Sequence, residues 1–518
     1  MPGKIGRPCI GSKFSDAGKI CSIGKIWAGS VSAVLFSVSG FFFLAISLNI
    51  RNFRPKVKFC ARIVDMKSLT RSVIWRYAVG QLGWPILSGL VSSWLVYFYQ
   101  PDQAGLADGM PLFIPQGRVV FGLLTIIGLV GALGRLFDAV TDPLVGNLSD
   151  NCRSPLGRRV PFLRRAALPF GISTLLIFCA PIQKISPINT VWLFVFVLLY
   201  YFLLTCYYTP YTSLIAELAK SQKEKLALST SISLTFIVGT AISYLAPVVW
   251  TAFISGGMER ILAMRLTFAI FCALAVALML VPAYTLNEKE YVQDCGSQDQ
   301  QAGMFSSLAK TFANKDFKIF VGQDVIYWFA LTMFQTGLPF FVTALLKLPE
   351  TYATTMFVGL TAASLLFYLP VNILAKKFGK KKIVVAAFAF FMADFLFTGL
   401  CGDRLAMPSV VQAVIIVLAA AFPMAAFGIL PQAMVADIAQ AETAATGQNR
   451  SGMFFAARTF AFKLGQSAAM LCFASLATIS RQTGGGYRIV AVVASICCAL
   501  GSAILLFYNE RRIVEHLS

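Results

Sequence analysis

Twelve stretches dominated by apolar residues alternate with short polar segments, near 73–99, 119–148, 162–183, 189–216, 230–254, 261–286, 319–347, 351–375, 383–400, 408–436, 453–480 and 487–508. Most exceed the roughly 20 residues that an α-helix needs to cross a bilayer core of about 30 Å. The pattern predicts an all-α membrane protein with twelve transmembrane helices.

The polar segments set the topology. Arg153, Arg158, Arg159, Arg164 and Arg165 flank the second connection, and Lys376, Lys377, Lys380, Lys381 and Lys382 mark the eighth. Short basic loops stay in the cytoplasm, so both connections and both termini are expected there, in an inner (cytoplasmic) membrane. Six spans separate the two connections, as an internal duplication of six-helix units would give, and two such halves imply a pathway between them. The longest connection, 287–318, is polar and charged and divides the chain into halves at 66–286 and 319–518.

Composition agrees with a lipid environment. Of 518 residues 57% are hydrophobic and 13% charged, with a mean hydropathy of +0.73, more apolar surface than a soluble fold of this length can hide. A formal charge of +21 would suggest nucleic acid in a soluble domain, but the Lys and Arg residues concentrate between spans, so membrane lipid and not nucleic acid is the expected partner. Of the 12 Cys, six (Cys179, Cys206, Cys272, Cys472, Cys497 and Cys498) lie within spans; the set lacks metal-type CxxC pairs and reads as small buried hydrophobes. The single histidine, His516, leaves little material for histidine catalysis, proton relay or a metal site. With no HExxH and no Gly-x-Ser-x-Gly context, neither an enzyme nor a cofactor is expected.

Residues 1–65 fit this scheme badly. The run 26–50 has span length, but basic clusters flank both sides, so crossing would strand one of them outside. It is also too long for a signal-peptide core. The stretch Gly6–Lys13 superficially resembles a phosphate-binding loop, yet Ser12 precedes Lys13 where the motif needs Lys before Ser or Thr, which leaves ATP-driven pumping without support. Met66-Lys67-Ser68 opens a short basic lead into the first span and is the expected start of the working protein.

The most informative segment lies in the second span. At about 100° per residue, Arg135, Asp138, Asp142 and Gly146 share one narrow strip. Carboxylates at i and i+4 repel, and each is costly to desolvate within a bilayer, so the pair needs a cation: bound Na⁺, a proton, or Arg135 one turn away. The alternative is an Arg135–Asp138–Asp142 network that merely locks helices together. Pro143 frees the Ala139 carbonyl as a further oxygen ligand.

Arg135, Asp138, Asp142-Pro143, Gly146, Asp150 and Gly157-Arg158-Arg159 resemble the helix 2 motif of the glycoside–pentoside–hexuronide:cation symporters. This is the family of the melibiose permease and, in animals, of the sodium-dependent lysophosphatidylcholine symporter. The likeness extends to Tyr207-Tyr208-Thr209-Pro210, the Asp437 region and Phe462-Lys463-Leu464-Gly465, over about 70–510. It implies the major facilitator superfamily fold and symport of a solute with Na⁺, H⁺ or Li⁺. It also implies a cation site at Asp138 and Asp142 with Thr205 a ligand, and Lys463 close to that site.

The departures bear on the solute. Pro85 and Tyr208 stand where melibiose-type members carry sugar-binding acids, while Trp84, Tyr207 and Tyr208 offer aromatic surface along the expected pathway. A lysolipid or other amphiphile therefore stands beside a glycoside as substrate, with a non-transporting scaffold as the distant alternative. Lys463 lies about 20 Å into its span and needs an anionic neighbour, which the helix 2 acids could supply. Arg458 is expected to snorkel toward the cytoplasmic end and Asp324 to face water at the interface, while Asp394 has no assigned role. Asp150 with Gly157, Arg158 and Arg159, and Lys376 with Lys377, are the expected cytoplasmic gate. A single chain holding both halves is expected to work as a monomer.

Overall fold

The computed structural model describes residues 70–122, 124–218, 222–290, 304–446, 451–480 and 483–515. The run 26–50, the stretch Gly6–Lys13, Met66 and His516 lie outside them.

Twelve long helices form among the described residues. They are α1 (Arg71–Tyr99), α2 (Ile126–Asp150), α3 (Val160–Ile177), α4 (Pro187–Leu218), α5 (Gln222–Tyr244 with Ala246–Ser255) and α6 (Arg260–Thr285) in the N-half. In the C-half they are α7 (Lys315–Leu345), α8 (Thr351–Phe378), α9 (Lys380–Leu400), α10 (Ser409–Thr446), α11 (Ser451–Leu476) and α12 (Gly485–Leu506). Ten have the length and apolar composition to cross a bilayer. The other two, α2 and α11, are as long but carry the charges Arg135, Asp138 and Asp142 on one and Arg458 and Lys463 on the other.

Local chemistry explains where the predicted boundaries moved. The second span starts at Ile126, not 119, because Phe121 and Gly122 take positive φ in a turn closed by a Val120–Leu124 bridge, after which the Thr125 side chain caps Gly128 N. The third stops at Ile177, short of 183. Asn314 caps α7 and starts it at Lys315, and α10 runs on to Thr446, about ten residues past its predicted end. Pro143 sits inside α2 without breaking it.

The halves repeat each other. Within the N-half, α1 packs on α5 and α6, α2 on α4, and α3 on α4 and α6. The same scheme, shifted by six helices, joins α7 to α11 and α12, α8 to α10, and α9 to α10 and α12. Across the divide α2 packs against α11, and α5 meets α8. The α2–α11 seam is tight because Gly128 and Gly131 face Ala474 and Met470, and the Ser467 hydroxyl donates to the Ala132 carbonyl at 2.8 Å. At the end away from the basic loops an aromatic core fills the N-half, with Trp94 edge-on to Trp250 at 5.0 Å and Phe98 stacked on Phe113 at 5.1 Å.

Candidate functional site: a charged cluster between the halves

The helical spacing of α2 places Asp138 and Asp142 one turn apart on the side facing α4 and α11. Thr205 and Thr209 on α4 share that spacing, so the two helices meet as a ladder: the Thr205 hydroxyl donates to Asp138 Oδ1 at 2.7 Å and Thr209 to Asp142 Oδ1 at 3.1 Å. Thr141 lies 3.3 Å from the Thr205 hydroxyl. From the opposite half, Lys463 Nζ reaches Asp138 Oδ2 at 2.8 Å and Asp142 Oδ2 at 2.5 Å. The Lys463 and Asp138 side chains are 8% and 2% exposed and that of Asp142 19%, so at the seam between halves the Asp138 arm of the bridge is held out of water and the Asp142 arm is partly buried. Two carboxylates and two or three hydroxyls form a hard, all-oxygen donor set of the kind that suits Na⁺ or a proton.

Sequence reasoning brought Asp138, Asp142, Thr205 and Lys463 together but missed Thr209 and Thr141. The Thr205-to-Thr209 spacing, matching that of the acids, was the available signal. Arg135 takes a different place: its guanidinium lies 5.2 Å from the centre of the Tyr201 ring on α4, in a cation–π contact and not in an ion pair with the acids. Trp84 and Tyr208 pack together, ring centres 4.7 Å apart, with Phe236 5.4 Å from Trp84. Both are only partly buried. Tyr207 corrects the expected pathway, because it is 0% exposed and donates to the Met279 carbonyl at 3.1 Å inside the N-half, about 100° around the helix from Tyr208.

Asp324 and Arg458 also depart from expectation. Rather than facing water and snorkelling, they form a buried bidentate pair between α7 and α11, Arg458 Nε to Asp324 Oδ2 at 2.8 Å and NH2 to Oδ1 at 2.9 Å. Asp324 enters its helix deeply enough that desolvation demands this partner. Asp394 in α9 is buried, and neither carboxylate oxygen has a hydrogen-bond partner.

At the basic end each half closes on itself around a glutamate. Gly157 takes φ +102°, and the turn it permits presents the backbone N–H groups of Arg158, Arg159 and Val160 to the Glu288 carboxylate at 2.8, 2.8 and 3.0 Å. Arg159 also pairs with Asp150. In the C-half Gly379 takes φ +91° and presents Lys380 N and Lys381 N to Glu510 at 2.7 and 3.0 Å, while Lys380 Nζ reaches Asp437 at 2.5 Å. The basic pair in this clasp is Lys380 and Lys381, not the expected Lys376 and Lys377, which are exposed on the last turn of α8. Both glutamates were missed because each lies about 130 residues from its partners.

Twelve long helices in two equivalent halves, ten of them apolar enough to cross a bilayer, with ionisable groups at the seam between the halves, define a secondary transporter of the major facilitator superfamily. Residues 76–509 match the MFS/sugar transport protein family, and the chain belongs to it. Among its relatives, an uncharacterized symporter of Synechocystis is 23% identical over 75% of this chain and 82% of its own length. The isoprimeverose transporter of Lactiplantibacillus pentosus is 22% identical over 63% of each chain. The sodium-dependent lysophosphatidylcholine symporter 1 of Xenopus tropicalis is 37% identical over 18% of each chain. The fold resembles a bacterial homologue of the lysosomal transporter Spinster, crystallised inward-facing, with TM-score 0.60, 14% identity, and coverage of 86% of this chain and 97% of that one.

Proposed function

We propose that this transporter couples the downhill entry of a monovalent cation, Na⁺ or H⁺, to uptake of a small glycoside-type solute. Asp138 and Asp142 with Thr205 and Thr209 hold the cation. The reading is carried by one observation: Lys463 bridges both acids at 2.8 and 2.5 Å, so within hydrogen-bond reach two negative charges face one positive charge. A second monovalent cation completes the balance and offsets a burial cost of about 3 kcal/mol per unpaired acid. Lys463 belongs to the C-half and the acids to the N-half, so a cation that takes Lys463's place on one acid alters the contact between halves. Cation occupancy and solute access are thereby linked.

Basic loops face the cytoplasm by the positive-inside rule, which puts the Glu288 and Glu510 clasps and both termini on that side of the cytoplasmic membrane. The chain acts as a monomeric carrier, not as an enzyme, and its immediate partners are the solute, the cation and membrane lipid. Uptake of radiolabelled isoprimeverose into proteoliposomes tests the reading: accumulation driven by an inward Na⁺ or pH gradient supports it, and uptake indifferent to both overturns it. A lysophospholipid is the second reading, favoured by Trp84, Tyr208 and Phe236, which form an aromatic surface where a sugar would want acids. Labelled lysophosphatidylcholine in the same vesicles decides between the two.

A further inference from the structure

At the end away from the basic loops, the entry to α8 sets one carboxylate of the C-half among three donors of the N-half. Glu350 Oε2 accepts from the Tyr97 hydroxyl of α1 at 2.7 Å and from Arg260 at the start of α6 at 2.6 Å. Its Oε1 accepts from the Trp250 indole in the second segment of α5 at 2.5 Å. The Glu350 side chain is 11% exposed and that of Arg260 13%, so the hub is largely sheltered. Arg260 extends to Asp108 at 3.3 Å.

Other bonds cross between the halves at the same end. The Thr343 hydroxyl donates to Asp102 Oδ2 at 2.5 Å, and the Thr336 hydroxyl to the Ser92 carbonyl at 3.2 Å. Here α1 and α7, equivalent helices of the two halves, touch each other, and each widens into a π turn, Leu90–Trp94 and Phe341–Leu345. Such turns leave the helical ladder locally adjustable.

An alternating transporter has to part its halves at this end once per cycle. A ring of independent bonds would open piecemeal. A single carboxylate that satisfies three donors on three helices opens in one event, because losing it strands the Tyr97 hydroxyl and the Trp250 indole together and leaves Arg260 only its longer contacts with Asp108 and Tyr97. We infer that Glu350 is the latch of this outer gate, holding α1, α5 and α6 against α8 when the pathway is shut on that side. The inference rests on the transporter reading but on neither the cation nor the solute.

Hydrogen–deuterium exchange of the full chain in nanodiscs, with NaCl and no solute, tests it without reference to symport. Glu350→Gln is expected to raise exchange roughly tenfold in peptides covering 90–102 and 341–357, the loss of about one charge-assisted bond. Peptides across the clasps at 157–160 and 379–381 stay unchanged. Tyr97→Phe, which deletes one hydroxyl and no charge, gives a smaller rise in the same two segments. Unchanged exchange there in both variants overturns the latch. So does a rise spread over the whole chain in Glu350→Gln with none in Tyr97→Phe, which would make Glu350 a folding residue.

Discussion

Each carboxylate oxygen of Asp138 and Asp142 keeps one partner: two threonine hydroxyls on one side and the Lys463 ammonium on the other. Changing either acid to asparagine leaves the hydroxyl contacts possible but removes one of the two charges that call for a cation. Asp138→Asn and Asp142→Asn are therefore expected to abolish gradient-driven accumulation while protein levels in the membrane persist. A variant that still concentrates solute would contradict the assignment. The i, i+4 acids and the mid-span lysine were legible in the sequence because their cost in lipid is a property of single residues. Their pairing across more than 300 positions followed from the need of Lys463 for an anionic neighbour together with the family likeness. Asp324 and Arg458 were misread for the opposite reason, since position along a span does not disclose a partner on the neighbouring helix. Their pair makes its own prediction: Arg458→Leu alone leaves a buried charge and costs about 3–5 kcal/mol, whereas Asp324→Leu with Arg458→Leu recovers most of that loss. Thermal unfolding of the two variants beside the parent in detergent checks it, and equal losses in the single and double variants would contradict it.

Among the elements, the long apolar helices were visible directly, and the boundaries that moved did so at caps and turns, such as Thr125 and Asn314, whose effect depends on side-chain geometry. The clasps at the basic end were half legible. Gly157-Arg158-Arg159 and the lysine run stood out, but Glu288 and Glu510, which gather their backbone N–H groups, are distant in sequence and resemble ordinary surface acids. Gly157 and Gly379 hold φ +102° and +91°, and a Cβ at either would run into the glutamate carboxylate. Gly157→Ala and Gly379→Ala are each expected to cost about 1–3 kcal/mol by backbone strain alone. The change should appear as faster hydrogen exchange in the α2–α3 or α8–α9 connection. Identical exchange in variant and parent would show that the turns tolerate a side chain.

In the whole molecule, the duplicated packing scheme sets the halves as two similar bodies that meet along α2–α11 and α5–α8. The sequence disclosed this symmetry through its two basic loops six spans apart, while the bonds that join the halves, from Lys463 to Glu350, needed the fold to become visible. If the cluster at Asp138, Asp142 and Lys463 couples cation to solute, each ligand must raise the affinity for the other by the same factor. Calorimetric titration of the purified protein with isoprimeverose or lysophosphatidylcholine, with and without Na⁺ and across pH, measures that factor directly. A solute affinity raised by about 5- to 150-fold when the coupling cation is present, and by less in Lys463→Gln, is the predicted result. An affinity that is the same with and without Na⁺ and at every pH would contradict it, leaving a uniporter whose buried acids serve only the structure.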